Sequence, residues 1–190
     1  MKLTRYPDDP INFLKSLRTI RFFEQEPVSQ EALDDILEVA RWSGSARNRQ
    51  PWEFLVVRER GTLERLAALE GYAKHLAGAA VGIVLVMVGN PAKFEQETFD
   101  EGRLAERISL AAASHGLGVA VGWFVGEGRG AAKRILRIPD ERLVRTALSV
   151  GHPAQNLPRG KSALPQGRKP LADLVYEEHY GDDLGLDRPR

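Results

Sequence analysis

The apolar positions of this chain follow two rhythms. Ile11, Leu14 and Leu17 recur every three residues, which predicts a short helix capped by Asp9 and opened by Pro10. Leu33, Ile36, Leu37 and Ala40 stand at i, i+3, i+4 and i+7, with Asp34, Asp35 and Glu38 on the opposite side. That is the buried stripe of a second helix, capped by Ser29. Residues 18–23 read as a turn or short extended piece between them. The second rhythm is the continuous run. Residues 52–57, 81–88, 119–125 and 142–150 predict four strands, the second covered on both faces. Thr62 is placed to cap a helix carrying Leu63, Leu66 and Leu69 and ended by Gly71, with a further short helix over 72–76. Residues 98–116 predict the longest helix, with Leu104, Ile108, Ala111, Ala112 and Leu117 near one side. Its small residues Ala111 to Ser114 would let another helix come close. A short helix over 129–137 follows, and Pro170 opens a last one, with Leu171, Leu174 and Val175 facing inward, that ends near Gly181. Strands and helices mixed in this way describe one domain over residues 1–181.

Two stretches hold no core of their own. Residues 156–169 are polar and basic, with Pro158, Gly160, Pro165 and Gly167, and are expected to form an extended arm. The arm and its helix together are expected to span 152–181, and residues 182–190 to form a frayed tail. At about 3.3 Å per extended residue the arm reaches on the order of 45 Å, enough to cross onto a partner or to fold back over its own chain. The other stretch, residues 43–52, joins the second helix to the first strand. It carries Ser43, Ser45, Arg47, Asn48, Arg49 and Gln50, the chemistry of a binding loop on a rigid scaffold.

Composition narrows the function classes. The 190 residues carry 43% apolar and 28% charged side chains and a formal net charge of +1. No global field therefore points to nucleic acid or a membrane surface. The absence of cysteine excludes disulfides, thiolate metal sites and cysteine nucleophiles. The N-terminus lacks an apolar stretch of signal-peptide length, and the longest apolar run, residues 77–88, is too short to span a bilayer; a cytoplasmic protein is expected. His75, His115, His152 and His179 show no metal-ligand spacing. No nucleophile elbow and no ATPase-type phosphate loop occur. Residues 126–131 fit GxGxx[GA] after a strand and before a helix, but too few strands follow for a doubly wound domain. A Gly-rich turn is the reading preferred there.

Three separated segments carry a family resemblance. Leu17-Arg18-Thr19-Ile20-Arg21-Phe22, Ser45-Ala46-Arg47-Asn48-Arg49-Gln50-Pro51-Trp52-Glu53-Phe54 and Arg168-Lys169-Pro170-Leu171 resemble, in order and spacing, the FMN-binding signature of the nitroreductase family. Residues 99–118, Ile138-Pro139 and Gly151-His152-Pro153 are similar to further family segments, so the likeness runs over residues 12–180. It implies an α+β fold with a central, mostly antiparallel sheet flanked by helices and a long central helix at a dimer interface. It also implies FMN as cofactor, NADH or NADPH as reductant, and nitroaromatics, quinones or similar acceptors reduced by a ping-pong mechanism in a homodimer whose FMN sites lie at the interface. Other flavin chemistry in the same family, dehalogenation or flavin destruction, and a non-catalytic flavin- or nucleotide-binding regulator stay as alternatives.

The residues support the cofactor independently. Arg18, Arg21 and Arg168 offer guanidinium forks suited to phosphate, unless the first two are simply solvated. Thr19 adds a hydroxyl where the family usually has Ser. Asn48 both donates and accepts, which suits the pyrimidine edge of a flavin, and Gln50 can assist. Ser45, Arg47 and Lys169 complete the set the resemblance implies, and Gly122 would let a strand backbone approach the ring. No acid or base is required of the chain, because the flavin carries the electrons. Lys169 stands where many members have an apolar residue. The chain is near the short end of the family, so the helical insertion that often covers the substrate is reduced or missing.

Overall fold

A computed structural model describes residues 9–155 and 167–182. The chain divides into two compact units, residues 1–156 and 157–190. The first unit is built on four strands, β1 (Trp52–Val57), β2 (Val81–Met87), β3 (Gly118–Trp123) and β4 (Leu143–Gly151), in the order β1-β2-β4-β3. Every pairing is antiparallel, so the sheet is the one expected. β2 is buried along its whole length, as its unbroken apolar run requires. Alternate residues of the strands feed two cores. On one face Ile83, Leu85, Met87 and Leu148 pack with α2 (Gln30–Arg41) and α4 (Phe94–Ser114). On the other, Val84, Val86, Val144 and Ala147 pack with α3 (Arg60–Ala67) and α5 (Gly126–Leu136). Leu104 and Ile108 of α4 are fully buried, each stabilising the fold by roughly 1.5–3 kcal/mol relative to exposure.

α1 (Pro10–Ser16) and α2 start where their caps predict: Asp9 Oδ1 accepts from Asn12 N at 2.9 Å and Ser29 Oγ from Ala32 N at 3.2 Å. Other boundaries move. α3 is capped by Glu59, not Thr62, because the Glu59 carboxylate reaches the free amides of Gly61 and Thr62 at 2.8 and 2.5 Å. It ends at Ala67, and a 3-10 turn over Lys74–Gly78 replaces the helix expected at 72–76. α4 begins four residues before Thr98, fed by a 3-10 turn, Pro91–Lys93, that Asn90 caps. Two of the three alanines at 111–113 are buried within this chain. Ala111 and Ala112 are buried with Ile36 and Ala40 of α2, so they serve the α2–α4 packing, while Ala113 is half-buried and Ser114 exposed. Leu117 lies beyond the helix, in the same core.

Residues 18–24 are extended, as expected, and run beside the sheet. Thr19 forms a parallel bridge to Val119 and Phe23 an antiparallel bridge to Pro153.

In the second unit the helix expected from Pro170 to Gly181 shortens to a 3-10 turn, Leu171–Asp173. Leu171 and Leu174 are 63% and 56% exposed. Without burial of its apolar stripe a segment this short does not repay helix nucleation. The expected arm falls for the most part outside the described residues, at 156–166, and the tail likewise at 183–190.

Candidate functional site

β3 is an edge strand, and the site is built along it. At its start the extended segment 18–21 lies against Val119, with Ile20 N donating to Val119 O at 2.9 Å. Gly118 leaves room for the Ile20 side chain, which would be 2.6 Å from an added Cβ. Seating the half-buried Ile20 there turns Thr19 and Arg21 outward, and both are exposed. Arg21 makes no side-chain hydrogen bond among the described residues. Arg18 is also exposed but partly committed. Its Nη1 donates to Lys15 O and Leu17 O, both at 2.7 Å, and so closes the C-terminal turn of α1. Two guanidinium groups and a hydroxyl thus gather at one end of the strand.

Farther along β3 the alternation points Val121 and Trp123 away from the sheet core, 38% and 55% exposed. They form one wall of an open cavity of about 460 Å³, completed by Thr98, Glu101, Gly102 and Ala105 of α4, by Arg145 and Thr146 of β4, and by Val125 and Arg129. An apolar wall and a few polar groups are the usual composition of a ligand pocket. The polar groups here are organised around Arg145. Its Nε donates to Glu101 Oε2 at 2.6 Å and its Nη2 to Thr98 Oγ1 at 2.8 Å. Its guanidinium also stands over the Phe94 ring at 5.2 Å. The Glu101 and Arg145 side chains are 3% and 13% exposed. From Val119 to Trp123 the strand rises about 13 Å, so the cationic end and the apolar wall lie within reach of one elongated ligand.

The loop with Asn48 lies elsewhere. It forms a 3-10 turn, Ala46–Asn48, tied by its own polar groups: Ser45 Oγ accepts from Gln50 N at 2.9 Å and Asn48 O from Gln50 Nε2 at 3.4 Å. Arg47, Asn48 and Gln50 all have positive φ, at 54°, 52° and 49°. Asn tolerates that region; Arg and Gln rarely adopt it, and such strain concentrates at binding sites. The loop enters β1 at Trp52, which pairs with Met87, whereas Thr19 sits at Val119, which pairs with Val150 and through it with Val81. The two groups therefore occupy opposite corners of the sheet. Four strand spacings and six residues of rise separate their backbones by roughly 28 Å. Within the first unit the structure brings Arg18, Thr19 and Arg21 together, and separately Ser45, Arg47, Asn48 and Gln50, but does not join the sets.

Residues 14–78 match the Nitroreductase family. A protein of Methanothermobacter thermautotrophicus named as an NADH dehydrogenase/NAD(P)H nitroreductase is 31% identical over 151 residues, 78% of this chain and 79% of the relative. The chain belongs to the nitroreductase family. A Bacillus subtilis protein named FMN reductase (NAD(P)H) is 26% identical over 181 residues, covering 84% of this chain and 71% of its own length. Among solved structures, an FMN-dependent nitroreductase of Clostridium difficile superposes with a TM-score of 0.76 at 24% identity, covering 90% of this chain and 99% of that one.

Two glycine features of this nitroreductase-family chain gain explanations other than ligand approach. A Cβ on Gly122 would stand 2.6 Å from His75 Nε2 and 2.7 Å from Tyr72 O. The close approach it permits is thus to residues 72–75, on the face opposite Val121 and Trp123. His75 is buried there, its Nδ1 2.5 Å from Ser149 Oγ. Burial, reinforced by the Arg21 charge, pulls its pKa down to about 4, so the ring is neutral at neutral pH. The Gly-rich match is the first turn of α5, which starts at Gly126 and not at 129. Glu70 occupies it: Oε2 accepts from Glu127 N at 3.0 Å, and a Cβ on Gly128 would lie 2.2 Å from Glu70 O. The helix start that a dinucleotide would need is filled by the chain's own carboxylate.

Arg168 and Lys169 are exposed in the second unit. Among the described residues no helix is long and apolar enough to cross a membrane, and no three His, Cys, Asp or Glu side chains converge on a metal-sized position. The donor set suits FMN: cations and a hydroxyl at one end of β3 for a phosphate, and an apolar wall with adjoining polar groups for a flat ring. Sequence reasoning missed the wall and the Glu101–Arg145 pair. The signals were present, as a charge on the buried side of the α4 stripe and another inside the apolar run of β4, but neither names its partner.

Proposed function

We propose that the chain is an FMN-dependent oxidoreductase that takes electrons from NADH or NADPH and passes them to nitroaromatics, quinones or similar acceptors. The observation that carries this reading is the arrangement along β3, where exposed Thr19 and Arg21 flank one end and the Val121–Trp123 wall lines a cavity toward the other. Arg18, Thr19 and Arg21 would hold the phosphate by charge-assisted bonds; Arg168 and Lys169 offer the same chemistry within the second unit. Val121 and Trp123 would seat the ring. The bound flavin supplies the two-electron chemistry, and the protein binds it, orients it and keeps the ring beside a shared substrate cavity. The relative named FMN reductase supports the same assignment.

Titration of purified chain with FMN should give saturable uptake of about one flavin per chain. NADH or NADPH should then drive quinone reduction with parallel double-reciprocal lines, since donor and acceptor take turns in one cavity. Absence of uptake, or intersecting lines, would contradict the respective half of the proposal.

The distance between the two residue sets supports a homodimer in which Asn48 and Gln50 of a second copy complete the site. Val121, Trp123, Phe94 and Phe99 are 38%, 55%, 51% and 68% exposed on β3 and α4, an apolar surface of the kind that a partner covers. Analytical ultracentrifugation should show a dimer with bound FMN; a monomer that retains FMN would refute this arrangement.

A further inference from the structure

The cavity on β3 contains a charged pair that phosphate binding and ring seating do not use. Arg145 lies in the middle of the apolar strand β4, where a cation has to be built in. Glu101 Oε2 takes Nε and Nη2, Thr98 Oγ1 takes Nη2 as well, and the Phe94 ring covers one face of the guanidinium. Nη1 has no hydrogen-bond partner among the described residues, and Arg145 lines the same cavity as Val121 and Trp123. Glu101 lies deeper. Its side chain is 3% exposed, and its second oxygen, Oε1, is buried without a partner among the described residues. Both groups line the cavity, but Arg145 is the more exposed of the two, so the pair presents its cation to the cavity more than its anion. The other charged group on the lining is Arg129, whose Nε donates to Phe124 O at 3.1 Å, so no second carboxylate offsets Arg145 there.

We propose that Arg145 is a redox-tuning residue for the ring bound in this cavity, and that Glu101 is the positioning residue that aims it and limits its effect. The inference rests on the reading that FMN seats its ring against Val121 and Trp123. In the reductive half of the reaction two electrons and one proton pass from the reduced nicotinamide to the ring. The nicotinamide is oxidised, and the ring, one proton short of neutral, carries one negative charge. A fixed guanidinium in a cavity with low-dielectric walls stabilises that charge and does nothing comparable for the neutral oxidised ring. Such a difference between two states is what shifts an equilibrium. Thr98 and Glu101 hold the guanidinium in place before the charge arrives, so no reorganisation is required when it does.

The test is the midpoint potential of the FMN-loaded chain, measured against a reference dye. R145Q should move the reduction equilibrium about tenfold toward the oxidised form, which is ~30 mV for a two-electron couple. R145K, which keeps the charge, should stay close to the parent. E101Q removes the opposing charge and should shift the potential upward. If R145Q does not fold because Glu101 is left buried and unpaired, the double variant E101Q/R145Q keeps a neutral hydrogen-bonded pair and should still lie below the parent. FMN-loaded E101Q and double variants with the parent's potential would overturn the proposal while leaving FMN binding intact. Failure of the unmodified chain to take up FMN would overturn the reading beneath it, and is seen in the loading step before any potential is measured.

Discussion

Gly71→Ala is expected to destabilise the chain by on the order of 2–6 kcal/mol and to abolish FMN uptake with it. Gly71 has a φ of +142°, and a Cβ there would lie 2.0 Å from Trp123 O and 3.0 Å from Phe124 Cα. Both obstacles are backbone. The conformation is nearly closed to L side chains, at a cost of order 1–3 kcal/mol, and the overlap adds roughly 1–3 kcal/mol of overpacking. The alternative is for residues 70–72 to leave the edge of the sheet. That would cost the hydrogen bonds Tyr72 N to Trp123 O and Val125 N to Glu70 O, at 2.7 and 3.0 Å, and release the Glu70 carboxylate from the start of α5. Either way the strand end bearing Trp123, the proposed ring wall, loses its support. For a chain of this size the penalty corresponds to a fall in Tm of about 10 °C. Gly78→Ala is the matched control, since a Cβ there meets nothing within 4 Å. Melting curves of both variants, followed by circular dichroism, decide the matter: a Gly71→Ala protein that melts with the Gly78→Ala protein would mean that residues 70–72 relax without cost.

What could be read from the sequence was whatever a single element specifies. The span of β1 follows from the run Trp52–Val57 between Pro51 and a charged stretch, and the structure returns the same residues. α2 is equally legible because Ser29 and its buried stripe act within one helix. Features set by two distant segments were not legible. Nothing in residues 126–131 reveals that Glu70 reaches them, so the start of α5 was placed three residues late. Gly122 carried a ligand role in the sequence because the backbone of residues 72–75, which needs its space, is remote in the chain. The C-terminal stripe Leu171, Leu174 and Val175 has helical spacing, yet spacing confers no stability where the apolar face stays exposed. In the site, the loop of Ser45 to Gln50 and the segment of Arg18 to Arg21 were each recognisable from local chemistry. Their separation across the sheet depends on strand order, which no local pattern encodes.

Arg21→Ala is expected to weaken FMN binding by about 10- to 100-fold while leaving the melting temperature near that of the parent. The side chain is exposed and has no hydrogen-bond partner among the described residues, so its loss removes no internal contact. It also removes a positive charge beside the buried His75, whose pKa that charge helps to hold down to about 4; for a ring already neutral at neutral pH this has little consequence there. What remains is the phosphate contact. A hydrogen bond to a charged group contributes roughly 1.5–3 kcal/mol, and every 1.4 kcal/mol is about tenfold in Kd. Arg18→Ala is a less clean probe, because Arg18 also closes the last turn of α1 through Lys15 O and Leu17 O. Asn48→Ala should cost less affinity than Arg21→Ala, since a neutral hydrogen bond contributes about half as much, and should instead change the rate of flavin reduction. Riboflavin, which lacks the phosphate, separates the roles. Its affinity should be untouched by Arg21→Ala and lowered by Asn48→Ala. Calorimetric titration of the apo-variants with both ligands gives the comparison, and an Arg21→Ala protein that loses riboflavin as severely as FMN would show that Arg21 supports the ring and not the phosphate.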